Sequence, residues 1–249
     1  MREVSPQLSR CELSHVQRTP IDAARARAQH RQYTAALQQL GCRLQWLAPL
    51  PQHPDGVFVE DTAVLLPEVA VITRPGAPAR RGETAGVAAA LAPQLPLRHI
   101  NAPGSLEGGD VLQIGRTLYV GASARTNTAG IAQLTEALEP FGYRVQSVAL
   151  QGCLHLKSAC TFIPPHTLVV NPAWVEPALF GTASVVPVAA GEPYGANTLT
   201  LGGTTLVSAA YPDTGRRLAA AGVAVRALEV DELHKAEAAL TCMSLLQAV

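Results

Sequence analysis

Asp61, Glu107, His155 and Cys242 are the side chains of this sequence best suited to chemistry at a carbon centre, and each stands where a β-forming run is about to begin. The segments are "FVED", ending at Asp61; "LEGGD", carrying Glu107 and Asp110; "LHLKS", carrying His155 and Ser158; "YGAN", ending at Asn197; and "LTC", ending at Cys242. A thiol becomes a strong nucleophile as its thiolate. An imidazole moves protons near neutral pH, and carboxylates orient an imidazole or grip a planar cation. A free Cys taken alone is most often a small buried hydrophobe, and a polar residue before a strand is ordinary. That all five such places are polar, ionisable or nucleophilic is what points to a shared site.

A repeat sets those five places. Two short β-type runs joined by a turn occur four times, as "DTAVLLPEVAVITRP", "GDVLQIGRTLYVG", "ACTFIPPHTLVVNP" and "NTLTLGGTTLVSAAYP". Each is followed by a helix candidate, "RRGETAGVAAALAP", "RTNTAGIAQLTEALEPFG", "AWVEPALFG" and "DTGRRLAAAG", the third short and interrupted by Pro177. One more strand then follows: "LRHIN", "RVQSVAL", "SVVPVA" and "VAVRALEV". The unit is strand, strand, helix, strand. The two ends supply a fifth unit, with "IDAARARAQHRQYTAALQQLG" as helix, "CRLQWLAPL" as strand and "LTCMSLLQAV" as part of the hairpin. Joining them closes a ring, in which Cys242 begins the closing strand and the five polar places converge on one mouth of a central channel.

Composition removes several function classes. With 249 residues and 48% hydrophobic content, the chain can bury a large core without disulfides. Its five cysteines are odd in number and scattered, which is no disulfide framework. The nearest metal-like group, Cys153, His155, Cys160 and His166, has spacings that match no standard zinc arrangement, so neither a metal nor a cofactor is expected. Nineteen basic and nineteen acidic residues balance, and no basic stripe interleaves with aromatics, which argues against nucleic acid. Arg2, Glu3, Arg10 and Glu12 interrupt the opening before an apolar signal could form, and no run is long enough to span a membrane. A reducing cytoplasm is the location this predicts.

The ordered set "DGVFVEDTAV", "ITRPGAPARR", "LEGGDVL", "GASARTN", "LHLKSAC" and "LTCMSLL" resembles the dimethylarginine dimethylaminohydrolases of the guanidino-group-modifying superfamily, over nearly the whole chain. The resemblance implies the pentein fold, a five-bladed α/β propeller of ββαβ modules around a central active site. It implies that Cys242 is the nucleophile, that His155 is the general acid and base, and that Glu107 orients the imidazole. Asp61 would clamp the guanidinium, Asp55 the substrate ammonium, and Arg80 and Arg125 its carboxylate. Leu13 would belong to an apolar lid, Ser158 would lie near the leaving group, and Glu237 would match a second acidic contact. Animal members carry an Asp-Gly pair where this chain has Glu237 and Ala238. Glu60 joins the substrate-contacting set, although in an extended segment it faces away from Asp61.

The implied activity is hydrolysis of Nω-methylated arginine to citrulline and a methylamine through a covalent thiouronium. A deiminase or amidinotransferase acting on another guanidine is the alternative within the class. A catalytically silent arginine-binding pentein is the alternative outside it, and the joint presence of Cys242, His155, Glu107 and Asp61 speaks against it. The expected partner is this small molecule, with a homodimer as the protein association to consider. One catalytic domain is expected over residues 1–249. Because the chain starts almost at "REVSP", the strand that would pair with "LTCMSLLQAV" is largely missing, leaving an edge beside the nucleophile.

Overall fold

Short β-branched runs bounded by Gly, Pro and Asn fold here as hairpins, and each hairpin gains a third strand through a helical crossover. The computed structural model describes residues 1–182 and 184–247. Helix α1 (Ala23–Gln39) comes first, with the Asp22 carboxylate accepting from the Ala24 and Arg25 N–H groups at its start. The first module is β1 (Ala63–Leu65), β2 (Ala70–Ile72), α2 (Thr84–Leu91) and β3 (Leu97–His99). The second is β4 (Val111–Ile114), β5 (Thr117–Ala122), α3 (Thr128–Leu138) and β6 (Arg144–Ala149). The third opens with a single helical turn, α4 (Leu156–Ala159), and continues as β7 (Cys160–Ile163), β8 (Thr167–Val170) and β9 (Ser184–Pro187). The fourth is β10 (Leu199–Leu201), β11 (Thr204–Ser208), α5 (Pro212–Ala220) and β12 (Val225–Leu228), followed by α6 (Asp231–His234).

In all four sheets the first two strands pair antiparallel and the third lies parallel to the second. The parallel step needs a crossover, which the helix supplies. In the third module the crossover contains only a 3-10 turn, Pro177–Phe180, because Pro177 lacks an N–H and sits where a helix may begin but not continue. The central strands β2 and β8 are buried at every residue, as continuous Val, Ile and Leu runs require. Apolar packing is divided into separate clusters, such as Val71, Leu106, Leu118, Val120, Leu134 and Leu138 between the first two modules.

The channel lies where one-turn segments meet. Val59–Thr62, Gly108–Asp110, α4 and Thr241–Met243 each precede a strand or the equivalent extended run, and consecutive ones touch. Asn197 closes the circle by donating to the Lys157 carbonyl and the Thr241 hydroxyl. The expected propeller is therefore present, with four complete blades.

The fifth blade differs from expectation. Residues 42–50 form no strand, and Met1 pairs with them, its amine donating to the Gln45 carbonyl and its carbonyl accepting from the Leu47 N–H. The segment "LTCMSLLQAV" begins as a 3-10 turn, so Cys242 lies in a turn and not in a closing strand. Its last two residues lie outside the described ones. A ladder needs two adjacent strands, and among the described residues none lies between these two runs, which line a groove of about 510 Å³ with Leu44, Leu47, Leu245 and Leu246.

Gly130, in the first turn of α3, packs so tightly that an added Cβ would fall 2.0 Å from the Ser105 carbonyl oxygen. We expect Gly130→Ala to cost about 1–3 kcal/mol by overpacking and to lower the melting temperature by roughly 2–4 °C per kcal/mol. A thermal melt unchanged from wild type would show that the second module tolerates the shift.

Candidate active site

Two one-turn segments and their glycines bring the acid and base groups together. Glu107 precedes Gly108–Asp110, and His155 precedes α4, both in extended conformation, so their side chains enter the channel from adjacent blades. His155 Nε2 lies 2.7 Å from Glu107 Oε2 and 3.9 Å from Asp61 Oδ1, all three residues being buried. Burial disfavours the imidazolium, but Asp61, Asp110 and Glu107 outweigh it and raise the His155 pKa to about 9. Burial likewise works against the Glu107 carboxylate, yet the His155 hydrogen bond and charge, with Arg80 and Arg125, lower it to about 2. Asp110 accepts from the Leu156 N–H at 3.0 Å and thereby pins the turn that carries His155; burial pushes its own pKa up to about 6.

Asp61 is held from two sides, by the Gly109 N–H at 3.0 Å and by Arg80 Nη1 at 2.6 Å. Its neighbour Glu60 was expected to alternate faces in an extended segment. The segment is instead a 3-10 turn, and Glu60 is buried between Lys157 Nζ (2.7 Å) and the Thr241 hydroxyl (2.7 Å). Glu60 still influences the nucleophile. Burial, followed by the charges of Glu60 and Asp61, pushes the Cys242 thiol well above its ordinary range and so favours its neutral form. The preceding Thr241 is fixed by Asn197, whose carboxamide oxygen accepts the Thr241 N–H at 3.1 Å.

The groups expected around the amino-acid end are present but engaged with one another. Arg80 was expected to present its fork to a carboxylate. It is buried, with that fork spent on Asp61, on Glu83 at 2.9 Å and on the Phe58 carbonyl at 3.0 Å. Arg125 reaches Glu107 Oε1 at 3.3 Å and the Ser14 hydroxyl at 3.2 Å. Asp55 is buried and accepts the Glu12 N–H at 3.1 Å. Leu13 is partly buried against the cluster that contains Val57, Leu233 and Met243. Glu237 accepts from the Ser14 and His15 N–H groups at 2.6 and 2.7 Å, a contact with the chain and not a free acid.

Beside Cys242 is a cavity of about 40 Å³, walled by Ser158, Val16, Tyr194, Tyr211 and Glu237. That is room for about one water molecule. Ser158 thus shares a wall with the nucleophile, and its N–H is bonded to the His155 carbonyl.

Among the described residues, Asp61, Glu107 and His155 are the one group of three potential metal ligands with atoms within 4.8 Å of one another. Cys153, His155, Cys160 and His166 are not gathered, and His166 is exposed on the β7–β8 turn. Reading the sequence alone placed Asn197 at the channel mouth but missed Gly109, Lys157, Thr241 and Glu83. The paired glycines of "LEGGD" signal a close backbone approach, and Glu83 stands three residues after Arg80. Lys157 and Thr241 carry no local signal.

Comparison with known proteins gives concordant matches. The sequence model of the arginine deiminase family matches residues 46–192. An N(G),N(G)-dimethylarginine dimethylaminohydrolase of Streptomyces coelicolor is 42% identical over 98% of this chain and 94% of its own length. One of Pseudomonas aeruginosa is 34% identical over 90% of this chain and 89% of its own. A crystal structure of the Pseudomonas aeruginosa enzyme, as a cysteine-to-serine mutant complexed with citrulline, superposes with a TM-score of 0.91 over 97% of this chain and 95% of that one, at 31% identity. The N-terminal domain of a cyanobacterial arginine dihydrolase shares the fold, with a TM-score of 0.83 over 97% and 91% of the two chains at 18% identity.

Two outcomes are expected from this geometry. A Cβ at Gly109 would fall 2.7 Å from His155 Nδ1 and 2.8 Å from Asp61 Oδ1. Gly109→Ala should therefore displace both side chains and lower kcat by about 100-fold while the thermal melt stays cooperative. Wild-type kcat in that variant would place the reacting groups elsewhere. The second outcome concerns pH. The folded pKa of His155, about 9, lies above its unfolded value, so its stabilising contribution is complete below about 6.5 and is lost as pH rises through about 9. The melting-temperature gap between wild type and His155→Gln should be widest below pH 6.5 and close across that window. A gap independent of pH would mean that His155 is neutral when folded.

Proposed function

The chain belongs to the dimethylarginine dimethylaminohydrolase family, and on that premise we propose that it hydrolyses Nω-methylated arginine to citrulline and a methylamine, as one catalytic domain over residues 1–249. The observation that carries this reading is geometric: His155 meets Glu107 at 2.7 Å and Asp61 at 3.9 Å, and the turn holding Asp61 touches the turn holding Cys242, whose thiol pKa is raised by burial and by the charges of Glu60 and Asp61. Such a site favours a cationic substrate, whose arrival beside these carboxylates both offsets their charge and draws the thiol toward the thiolate. A guanidinium carbon is a weak electrophile, deactivated by resonance with three nitrogens, and a thiolate is the side chain strong enough to attack it.

The residues then take the following roles. Asp61 orients the guanidinium, the Cys242 thiol gives up its proton to solvent as the cation binds, and the Sγ thiolate forms a bond to the carbon, giving a tetrahedral adduct. His155, charged at neutral pH, donates its proton to the substituted nitrogen, and the C–N bond breaks to release the methylamine and leave a thiouronium on Cys242. The now neutral His155 takes a proton from water, which adds to the same carbon. Cleavage of the C–S bond returns the thiol and releases the ureido product. Glu107 holds the imidazole through Nε2 and favours its charged form. Asp55, Arg125 and Arg80 define the end that receives the amino-acid head, with Arg80 also holding Asp61 in place.

The match to the arginine deiminase family model favours arginine as the competing substrate. Citrulline formation from asymmetric dimethylarginine, monomethylarginine and arginine, measured in parallel, decides between them, and equal activity on arginine overturns the proposal. Cys242→Ser should abolish turnover, and mass spectrometry of quenched wild type should find the adduct on the Cys242 peptide. An adduct on Cys153 or Cys160 would reassign the nucleophile.

The two ends of the substrate should also separate kinetically. Asp61→Asn weakens an interaction at the reacting carbon and should lower kcat. Asp55→Asn removes a charge-assisted contact to a group that does not change during reaction, and should raise KM at a cost of about 1.5–3 kcal/mol. A guanidine lacking the amino-acid head should be insensitive to Asp55→Asn. Equal sensitivity of both ligands would mean that the head binds elsewhere. Arg80→Ala would be a poor substitute for this test, because it leaves the Asp61 and Glu83 carboxylates buried and unpaired.

A further inference from the structure

Glu237 is the one non-glycine residue with positive φ (58°) among those described. It follows α6, where its N–H bonds back to the His234 carbonyl at 2.9 Å and the Ala238 N–H reaches the Leu233 carbonyl at 3.3 Å. This is the left-handed position that ends a helix, and glycine is its usual occupant because a Cβ there is strained. The turn is fixed from behind by His234, whose Nδ1 lies 3.0 Å from the Ala238 carbonyl oxygen and whose Nε2 lies 2.8 Å from the Ser208 hydroxyl. A strained side chain persists where its surroundings over-determine it, and such a position merits a functional explanation.

The carboxylate supplies one. Its two oxygens accept the consecutive N–H groups of Ser14 and His15, at 2.6 and 2.7 Å, the short distances of charge-assisted bonds. Both oxygens are directed at the segment that follows Leu13, and neither is free to clamp a guanidinium while that segment is in place. The same segment is tied at two more points, by Asp55 to the Glu12 N–H and by Arg125 to the Ser14 hydroxyl. Val16, just beyond it, walls the cavity of about 40 Å³ beside Cys242. A cavity with room for about one water cannot admit an amino-acid substrate. Through Val16 this segment walls the space beside Cys242, which is itself half-buried.

We propose that Glu237 is a positioning residue that latches residues 12–16 over Cys242, and that it acts on the reaction through this lid and not by contact with the substrate guanidinium. This deepens the hydrolase reading and rests on it for the identity of the substrate. The lid itself can be tested without any substrate.

The test is the rate at which N-ethylmaleimide alkylates Cys242, followed by peptide mass spectrometry because the chain has four other free cysteines. In Glu237→Gly the latch is lost while the backbone strain is relieved. The Cys242 rate should rise at least tenfold with a melting temperature within about 2–4 °C of wild type. Glu237→Gln keeps one acceptor and turns a donor toward the other N–H, so its rate should fall between the two. An unchanged Cys242 rate in Glu237→Gly overturns the latch. Faster alkylation at all five cysteines with a large drop in melting temperature also overturns it, because Glu237 would then be a general structural support. A loss of turnover in Glu237→Gln with no change in alkylation would restore the guanidinium contact. Failure of the methylated-arginine assay would leave the alkylation result standing, so the two readings fail separately.

Discussion

The His155 imidazolium, held among Glu107, Asp61 and Asp110 in the buried centre, is the interaction on which the rest of the structure depends. Burial alone would keep the ring neutral, and only several carboxylates from different modules reverse that preference. Those carboxylates in turn need partners of their own. Arg80 and Arg125 serve Asp61 and Glu107, Glu83 serves Arg80, and backbone N–H groups of Gly109 and Leu156 serve Asp61 and Asp110. A buried ionic network is favourable only when every member is satisfied. This explains why the first three modules and the Cys242 segment begin with tight helical turns at the channel, since such turns direct N–H groups toward it, and why glycines stand where backbones meet.

That demand gives several residues two occupations. Asp55 and Arg125, proposed to receive the substrate's amino-acid head, each hold a part of residues 12–16, and Arg80 holds Asp61. Charged groups waiting for a substrate cannot be left bare in a buried site without a large desolvation cost. The lid's own backbone and hydroxyl groups fill that need, so the closed empty state and the substrate-bound state draw on the same donors and acceptors. Substrate binding is then an exchange of partners, and its affinity reports the difference between the two sets of contacts.

The repeat was legible because period-2 runs, turn residues and crossover helices recur in register, and four modules were found where the sequence placed them. The fifth was misread because a strand is defined by its neighbour. Residues 42–50 and 244–247 have suitable composition, but among the described residues no strand lies between them to complete a ladder. The convergence of Asp61, Glu107 and His155 followed from equivalence of position, whereas the face of Glu60 did not, because assuming an extended chain replaced a 120° step with a 180° one. Glu237 was legible as an acid five residues before Cys242, but nothing in a Glu-Ala pair announces positive φ. The occupied fork of Arg80 depends on Asp61 and Phe58, some twenty residues earlier in the chain, and spacing cannot show such contacts.

Charge also bears on how the site distinguishes substrate from product. On the proposed mechanism, burial with Glu60 and Asp61 favours the neutral thiol while Asp61, Asp110 and Glu107 favour the charged imidazole, so the resting site holds the acid needed for departure of the amine but withholds the nucleophile. A guanidinium supplies the missing positive charge beside Glu60 and Asp61 and makes the thiolate affordable. Neutral amides and ureas that share its shape do not. Citrulline is such a urea: once it forms, the carboxylates lose their cationic partner and the thiol returns to its high pKa. Attack on the product is thereby suppressed, and its hold on the site weakens. The same two carboxylates that deactivate Cys242 at rest are thus what make its reactivity conditional on a cation.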